Sequence, residues 1–521
     1  MTYLVDVTKK QRQEQGIEVW RRNGGKGTLN HVMRFGKTEE GCMVIEKLLT
    51  SKPDASIIIT TASDTVANVW RNYIPDYFAR IQFTSSSEEY IERVSKHVQV
   101  IPIAQLINMQ RVSPTRCTLL IVDEIHKFVS DARFMAISTL QHKYILGLTG
   151  TYPSGEDKRA IDSICPIIDI ITEEEALAKK WINPFIEYNI MLELPQVDKV
   201  RYAAFTTPMK ETLELFRGSR LLFRDDLNEF IFKDDYDVIN SCFRGKKYLN
   251  SLGKIEYFTG TAVRHSLAEL KGWHRNLDIT NTLSKQIDDY WNPVAIEQNV
   301  RLFMSQQAKR NEILINHPVK LAAVLEIYRL SPVTTICFNE STDFADVISN
   351  AINANFGIGR PISVVYHSNI SSRPLLDPTT KEWITYKTGN KKGEIKLFGK
   401  DTLKSIAIEG LRREVFTFLS TARALDEGLD VPNLQQVITT AGTANPIQYK
   451  QRTARGKTLD IYNPNKLTKI FNLCFDNFRD PEGELVKSRD LSKLSYRQKD
   501  NFVTPITIDG IERIKDYINT T

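Results

Sequence analysis

Met33-Arg34-Phe35-Gly36-Lys37-Thr38 is the stretch whose reading decides the fold. Gly27 to Val32 before it read as a short strand, and Glu39 to Leu49 after it place Met43, Val44, Leu48 and Leu49 at helical spacing. A strand-to-helix loop ending Gly-Lys-Thr is a phosphate cradle: backbone N–H groups and the positive end of the helix dipole face the anion. Lys37 can reach the β- and γ-phosphates, and the Thr38 hydroxyl can ligate Mg2+. The full pattern needs Gly at position 31, where this chain has His31. Taken alone, the loop is equally a turn ahead of an ordinary helix.

The chain around it favours the cradle. Ala55 to Thr61 is a β-branched run of the kind buried on both faces of a sheet, and Val98 to Ile101, Thr118 to His126 and Tyr144 to Thr151 supply further apolar strands. Strands alternating with helices predict a parallel α/β sheet, with ligands at the carboxyl ends of the strands. There the strand ending Asp123-Glu124 delivers two carboxylates. Asp123 would hold Mg2+, and Glu124 would orient and deprotonate an attacking water.

The bulk composition sets broad limits. A chain of 521 residues can form two or three domains, and 41% hydrophobic with 25% charged residues is typical of a globular protein. Lys+Arg 69 against Asp+Glu 63 gives +6, which permits a polyanionic partner without requiring one. No apolar run reaches the ~18 residues of a membrane span and the N-terminus lacks a signal-peptide core, so the expectation is a cytoplasmic protein with no membrane partner. The cysteines at 42, 117, 165, 242, 337 and 474 form no C-x-x-C pair and are expected as reduced core residues.

Asp123-Glu124-Ile125-His126 reads as a DExH box, and the chain resembles superfamily 2 helicases and translocases, most nearly viral and restriction-motor DExH proteins. The resemblance implies ATP and Mg2+ as cofactors, with Arg34, Phe35, Gly36, Lys37 and Thr38 around the phosphates. It implies that Gln13 recognises adenine, against the alternative of a solvent-facing helix residue. It also implies that Leu148-Thr149-Gly150-Thr151 couples nucleotide state to nucleic acid, with Gly150 where Ala is more usual, and that Thr61 contacts the strand backbone.

Val197 to His317 changes to irregular helical stretches rich in aromatics and charges, with no motif. A second α/β lobe begins near Pro318. In it, Val415 to Thr421 runs into Ala422-Arg423-Ala424-Leu425-Asp426-Glu427-Gly428-Leu429-Asp430-Val431-Pro432, which matches the helicase pattern of a strand, Thr and E-G-[IL]-D-[VI]-P. By that resemblance Thr421 contacts a backbone phosphate, and Gly428 and Asp430 face the nucleotide. Gln451-Arg452-Thr453-Ala454-Arg455-Gly456 resembles Q-R-x-G-R-x-x-R, whose arginines act as fingers on the γ-phosphate. Arg452 and Arg455 match, Ala454 replaces Gly, and Thr458 stands where the third Arg belongs. Lys457 could substitute in part, as a point charge without a planar fork.

Between Tyr366 and Val415, Trp383 to Lys387 and Glu394 to Phe398 alternate as paired strands do, around a Gly389-Asn390 turn with Lys391 and Lys392. This hairpin would reach nucleic acid through its lysines, or else cover the lobe with Trp383 and Phe398.

The expected architecture is α/β, with two RecA-like parallel-sheet lobes and a mostly helical insertion or linker between them. The first lobe takes residues 1–195, the insertion 196–317, the second lobe 318–475 with the hairpin at about 380–400, and a C-terminal extension 476–521. The resemblance implies an ATP-dependent helicase or translocase holding nucleic acid mainly by its phosphate backbone, DNA before RNA. A nucleic-acid-binding packaging subunit with little turnover is the alternative of a different class.

Overall fold

A computed structural model describes residues 7–113, 115–153, 155–223, 230–245, 247–249, 255–257, 293–375, 377, 379–422, 431–441, 446–460, 463, 466–480, 482–498 and 503–518. The first sheet holds six parallel strands: β1 (Lys26–His31), β2 (Ile57–Thr61), β3 (Val98–Pro102), β4 (Arg116–Asp123), β5 (Gln141–Thr149) and β6 (Ile167–Ile171). Their order is β3-β2-β4-β5-β1-β6.

The apolar runs explain this placement. Successive side chains of a strand point to opposite faces, and both faces here are covered. Ile57 and Ile59 of β2 join Leu119 and Ile121 of β4 in a core under helices α2 (Lys37–Ser51) and α3 (Asp64–Arg80), which follow α1 (Val7–Arg22) in the chain. Ile58, Leu120 and Val122 point the other way, into a core with Leu106 and Ile137. Burying each such Leu or Ile contributes about 1.5–3 kcal/mol. α2 and α3 pack closely where a Cβ on Gly41 would lie 2.4 Å from the Trp70 ring. The register sets Asn30 of β1 beside Thr149 of β5, and Asp123 of β4 beside Leu148, so three strand ends meet at one edge.

The second sheet has seven parallel strands, in the order Ser363–Tyr366, Phe418–Ala422, Thr335–Asn339, Gln436–Thr439, Thr468–Phe475, β7 (Phe185–Leu192) and Ile506–Asp509. The expected boundaries at 195 and 475 cut across it. The boundary at 195 places Phe185–Leu192 with the first lobe, but β7 pairs along all eight residues with Thr468–Phe475 and on its other edge with Ile506–Asp509. A strand buried along nearly its whole length needs a neighbour on each side, and the second sheet supplies both. The residues after 475 are likewise built in. Helix Arg489–Gln498 is fastened to the lobe by a buried Lys320–Asp490 ion pair of 2.5 Å.

Between the lobes, the described helices Gln196–Leu215, Asp235–Arg244 and Pro293–Ile315 enclose a small core that includes Phe216, Phe223, Val238, Ile296 and Phe303. The hairpin near 380–400 is present in short form. Thr385 pairs with Ile395, Tyr386 N donates to Glu394 O at 2.9 Å, and Lys396 N donates to Ile384 O at 2.8 Å. Leu397–Phe398 then pairs with Arg373–Pro374. All six cysteines are free and buried. No helix among the described residues is long and apolar enough to cross a membrane.

Candidate active site

The cradle is built by a left-handed turn. Arg34 has φ 71° and Gly36 φ 105°, and α2 starts at Lys37 with Gly36, which has no side chain to offer, as its N-cap, so the first-turn N–H groups get no side-chain cap from it. A Cβ at Gly36 would lie 2.6 Å from Gln13 Nε2, so both backbone conformation and space require Gly there. Gln13 is buried, and its amide donates to Phe35 O at 3.2 Å and Gly36 O at 3.4 Å. The solvent-facing alternative is thereby excluded, and Gln13 shapes the cradle. Lys37 Nζ donates to His31 O at 3.4 Å and stands 2.9 Å from where a Cβ on Gly150 would be. Ala at 150 would crowd that ammonium.

His31 supports the loop from below. Its fully buried ring lies 2.7 Å from Glu40 Oε1 through Nδ1 and 3.1 Å from Asp169 Oδ2 through Nε2. Arg12 grips Asp169 with two bonds of 2.6 and 2.8 Å. Burial alone would lower the imidazole's pKa, but Glu40 and Asp169 outweigh it and hold it above its ordinary value.

The acid pair lies at the end of β4. Trp70 Nε1 donates to Asp123 Oδ2 at 2.8 Å. Burial and then the charge of Glu124 push the Asp123 carboxyl up to about 6, against the pull of Trp70 and Lys37. Glu124 occupies the left-handed region at φ 52°, a strained backbone for a residue other than Gly. Burial would raise its pKa, yet Lys37, His126 and Lys127 hold it below the usual carboxylate value. His126 Nδ1 sits 3.3 Å from Glu124 Oε2 and 2.8 Å from Thr149 Oγ1, which ties the Leu148-Thr149-Gly150-Thr151 turn to the acid pair.

Across the cleft lies the second lobe. A cavity of about 320 Å³ is lined by Arg34, Gly36, Lys37, Thr38, Asp123 and Glu124 on one side and Gln451, Ala454, Arg455 and Thr458 on the other. Arg34 Nε bridges it, donating to Ala454 O at 3.3 Å. Of the two arginines expected there, only Arg455 lines the cavity; the Arg452 guanidinium lies 5.5 Å from the centre of the Phe338 ring. Lys457, expected as a partial stand-in for the missing arginine, forms an ion pair with Glu173 and sits 3.8 Å over the Phe185 ring.

Gly428 and Asp430 lie outside the described residues. Thr61 and Thr421 close strands of their lobes, fully buried, with hydroxyls donating to Ser63 O at 2.9 Å and Tyr366 O at 2.7 Å. A phosphate contact requires those bonds to be given up. Lys391 and Lys392 are exposed on the hairpin, outside the cavity lining. Sequence reasoning missed Trp70, the His31 cluster and the Lys457–Glu173 pair, all of which join residues distant in the chain.

The residues fit ATP and Mg2+. A glycine turn opening a helix that has no side-chain cap, beside a lysine, suits phosphates. Two adjacent carboxylates, buried Asp123 and half-buried Glu124, with Asp123 shifted upward by burial and then by its neighbour's charge, form an oxygen-rich site that a divalent cation would relieve.

Residues 6–154 match the family described as Type III restriction enzyme, res subunit, which accounts for less than a third of the chain. No curated protein matches it by sequence. Among solved structures, Saccharomyces cerevisiae Dbp5 bound to RNA and ADP BeF3 is similar with a TM-score of 0.50 and 11% identity, over 98% of this chain and 92% of that one. A single-residue variant of Dbp5 in the same complex gives a TM-score of 0.51 at 10% identity, over 98% and 93%. The Pyrococcus furiosus Hef helicase domain gives 0.44 at 16%, over 89% and 94%. The Dbp5 likeness is one of fold: two RecA-like lobes with a helical region between them. The match at residues 6–154 falls on the part of the chain that carries the cradle and the acid pair.

Proposed function

We propose that the chain is an ATP-hydrolysing motor of the DExH type that moves along DNA or separates its strands. One observation carries this reading: the cradle and acid pair of one lobe and Arg455 of the other line a single cavity. Lys37 and the first-turn N–H groups of α2 hold the phosphates, and Thr38 and Asp123 are the oxygen donors for Mg2+, which would offset phosphate charge. Glu124 takes the proton of the attacking water. Arg455 faces the charge that develops on the transferred phosphoryl oxygens, a contact worth about 10³–10⁵ in rate in related enzymes. Opening and closing of a cleft bridged by Arg34 and Ala454 would move the lobes stepwise along a strand.

DNA is preferred as the track because the matched family is described as a restriction-enzyme subunit. The RNA-bound Dbp5 complex, at 11% identity, speaks for fold alone. Thr458 in place of a third arginine favours a second reading, a nucleic-acid-binding subunit with little turnover. ATPase rates measured side by side with single-stranded DNA, duplex DNA and RNA test both. DNA stimulation supports the proposal, stimulation by RNA alone changes the track, and no turnover with any of them leaves the second reading.

A further inference from the structure

We infer that the outward face of the hairpin at 383–397 is a docking surface for an unpaired nucleic-acid strand, with a base stacked on Trp383 and phosphates held by the lysines at the hairpin tip. This rests on the proposed motor function and names a contact for it. The two hairpin segments have sharply different faces. Ile384 packs on a small core of Val365, Ile370, Leu375, Phe398 and Leu403, and Phe398 is only 8% exposed. This inward side fastens the hairpin to the lobe. On the alternate positions, Trp383 is 42% exposed, Ile395 49% and Leu397 57%, with Thr385 and Lys387 also outward. Of the two aromatic residues expected to cover the lobe, only Phe398 does so.

Charge selects the occupant of that face. Residues 381–396 carry five lysines (381, 387, 391, 392 and 396) against Glu382 and Glu394. Lys391 and Lys392 form no ion pair among the described residues and flank a turn in which Gly389 (φ 82°) and Gly393 (φ 90°) bring the chain round. An exposed indole on one hairpin with lysines that lack ion pairs suits a strand that offers π-faces and phosphates together, because every base can stack and the cations follow the backbone. The excursion leaves the sheet after Tyr366, the edge-strand residue whose carbonyl receives the Thr421 hydroxyl at 2.7 Å.

The test measures binding of the full chain to a labelled oligothymidylate, to an abasic strand of equal length and to a blunt duplex, with Trp383→Ala, Trp383→Phe and a Lys391→Ala/Lys392→Ala pair. Trp383→Ala should weaken oligothymidylate binding about 5- to 150-fold, the range for one stacked base, and leave the abasic strand unchanged. Trp383→Phe should restore most of the loss. The lysine pair should weaken both single strands, leave the blunt duplex unchanged, and flatten the salt dependence for single strands by about 1.4 in log–log slope. Equal loss of oligothymidylate and abasic binding in Trp383→Ala would overturn the stacking contact, as would unchanged oligothymidylate binding. So would a loss of self-association in sedimentation with strand binding intact, which would assign the face to a second copy of the chain. In each of these the motor reading survives. It fails, and this inference with it, if the wild-type chain neither binds nor is stimulated by any strand.

Discussion

Trp70 and Asp123 are joined by a 2.8 Å hydrogen bond from the indole to a carboxylate oxygen, across the boundary between the α2–α3 layer and the strand that ends in the acid pair. Trp70 is fully buried. The bond restricts the rotation of Asp123, which lines the cleft. Trp70→Phe keeps most of the ring volume and deletes the donor. Leaving a buried acceptor unmatched costs about 1–3 kcal/mol, so the first unfolding step in urea should move to lower denaturant and ATPase should fall with it. An unchanged unfolding curve would show that water replaces the indole at no cost.

Glu124→Gln should bind ATP and turn it over at least ~10²-fold more slowly, since general-base assistance contributes about 10²–10⁴. Lys37→Ala should lose turnover through loss of phosphate contact. Equilibrium nucleotide binding beside steady-state turnover separates the two effects. Wild-type turnover in Glu124→Gln would remove Glu124 from the chemistry.

Arg455 and Arg452 should differ, because only Arg455 lines the cavity. Arg455→Ala should lower kcat by about 10³-fold or more with little change in ATP affinity, as expected of a contact that strengthens in the transition state. Arg452→Ala should lower stability more than kcat, through its place against Phe338. Equal kcat losses in the two variants would place both on the phosphate.

The His31 cluster gives a pH dependence whose sign can be worked out. Burial acts to raise the Asp169 pKa, but His31 and then Arg12 hold it below the ordinary carboxylate range, so its contribution is complete above about 4 and is lost as pH falls. His31 is shifted upward, so its contribution is complete below about 6.5 and is lost as pH rises through its folded value. The cluster is therefore strongest between about 4 and 6.5. Melting temperatures of wild type and His31→Gln should differ most in that window and converge in alkali. A pH-independent gap would show that the ring acts by packing alone.

Much of the first sheet was legible because β2, β4 and β5 announce themselves locally as apolar, buried runs, whereas the largely half-buried edge strand β6 gave no such signal. Gly36-Lys37-Thr38 and Asp123-Glu124 were legible for the same reason: their chemistry lies in adjacent residues. Trp70 was not, since helical spacing counts an indole as core and says nothing of where its N–H points. Arg452 and Arg455 could not be told apart in the sequence. The helix Pro446–Thr453 ends between them, so Arg455 leaves from a turn and faces elsewhere. The partner of Lys457 was illegible too, because Glu173 belongs to a helix nearly three hundred residues earlier. The boundary at 195 put β7 with the wrong sheet, for strand propensity is local and pairing is not.

The place of β7 also bears on how the chain is made. Its partner strand Thr468–Phe475 is synthesised about 280 residues later, an extreme sequence separation for neighbouring strands. The first sheet can close on the ribosome once β6 has emerged. β7 must then wait, both edges open, while the aromatic-rich insertion and most of the second lobe are translated. Nascent chains stalled before residue 468 should therefore be the ones that holdase chaperones capture and that proteases cut near 185–192, whereas chains released after 518 should resist both.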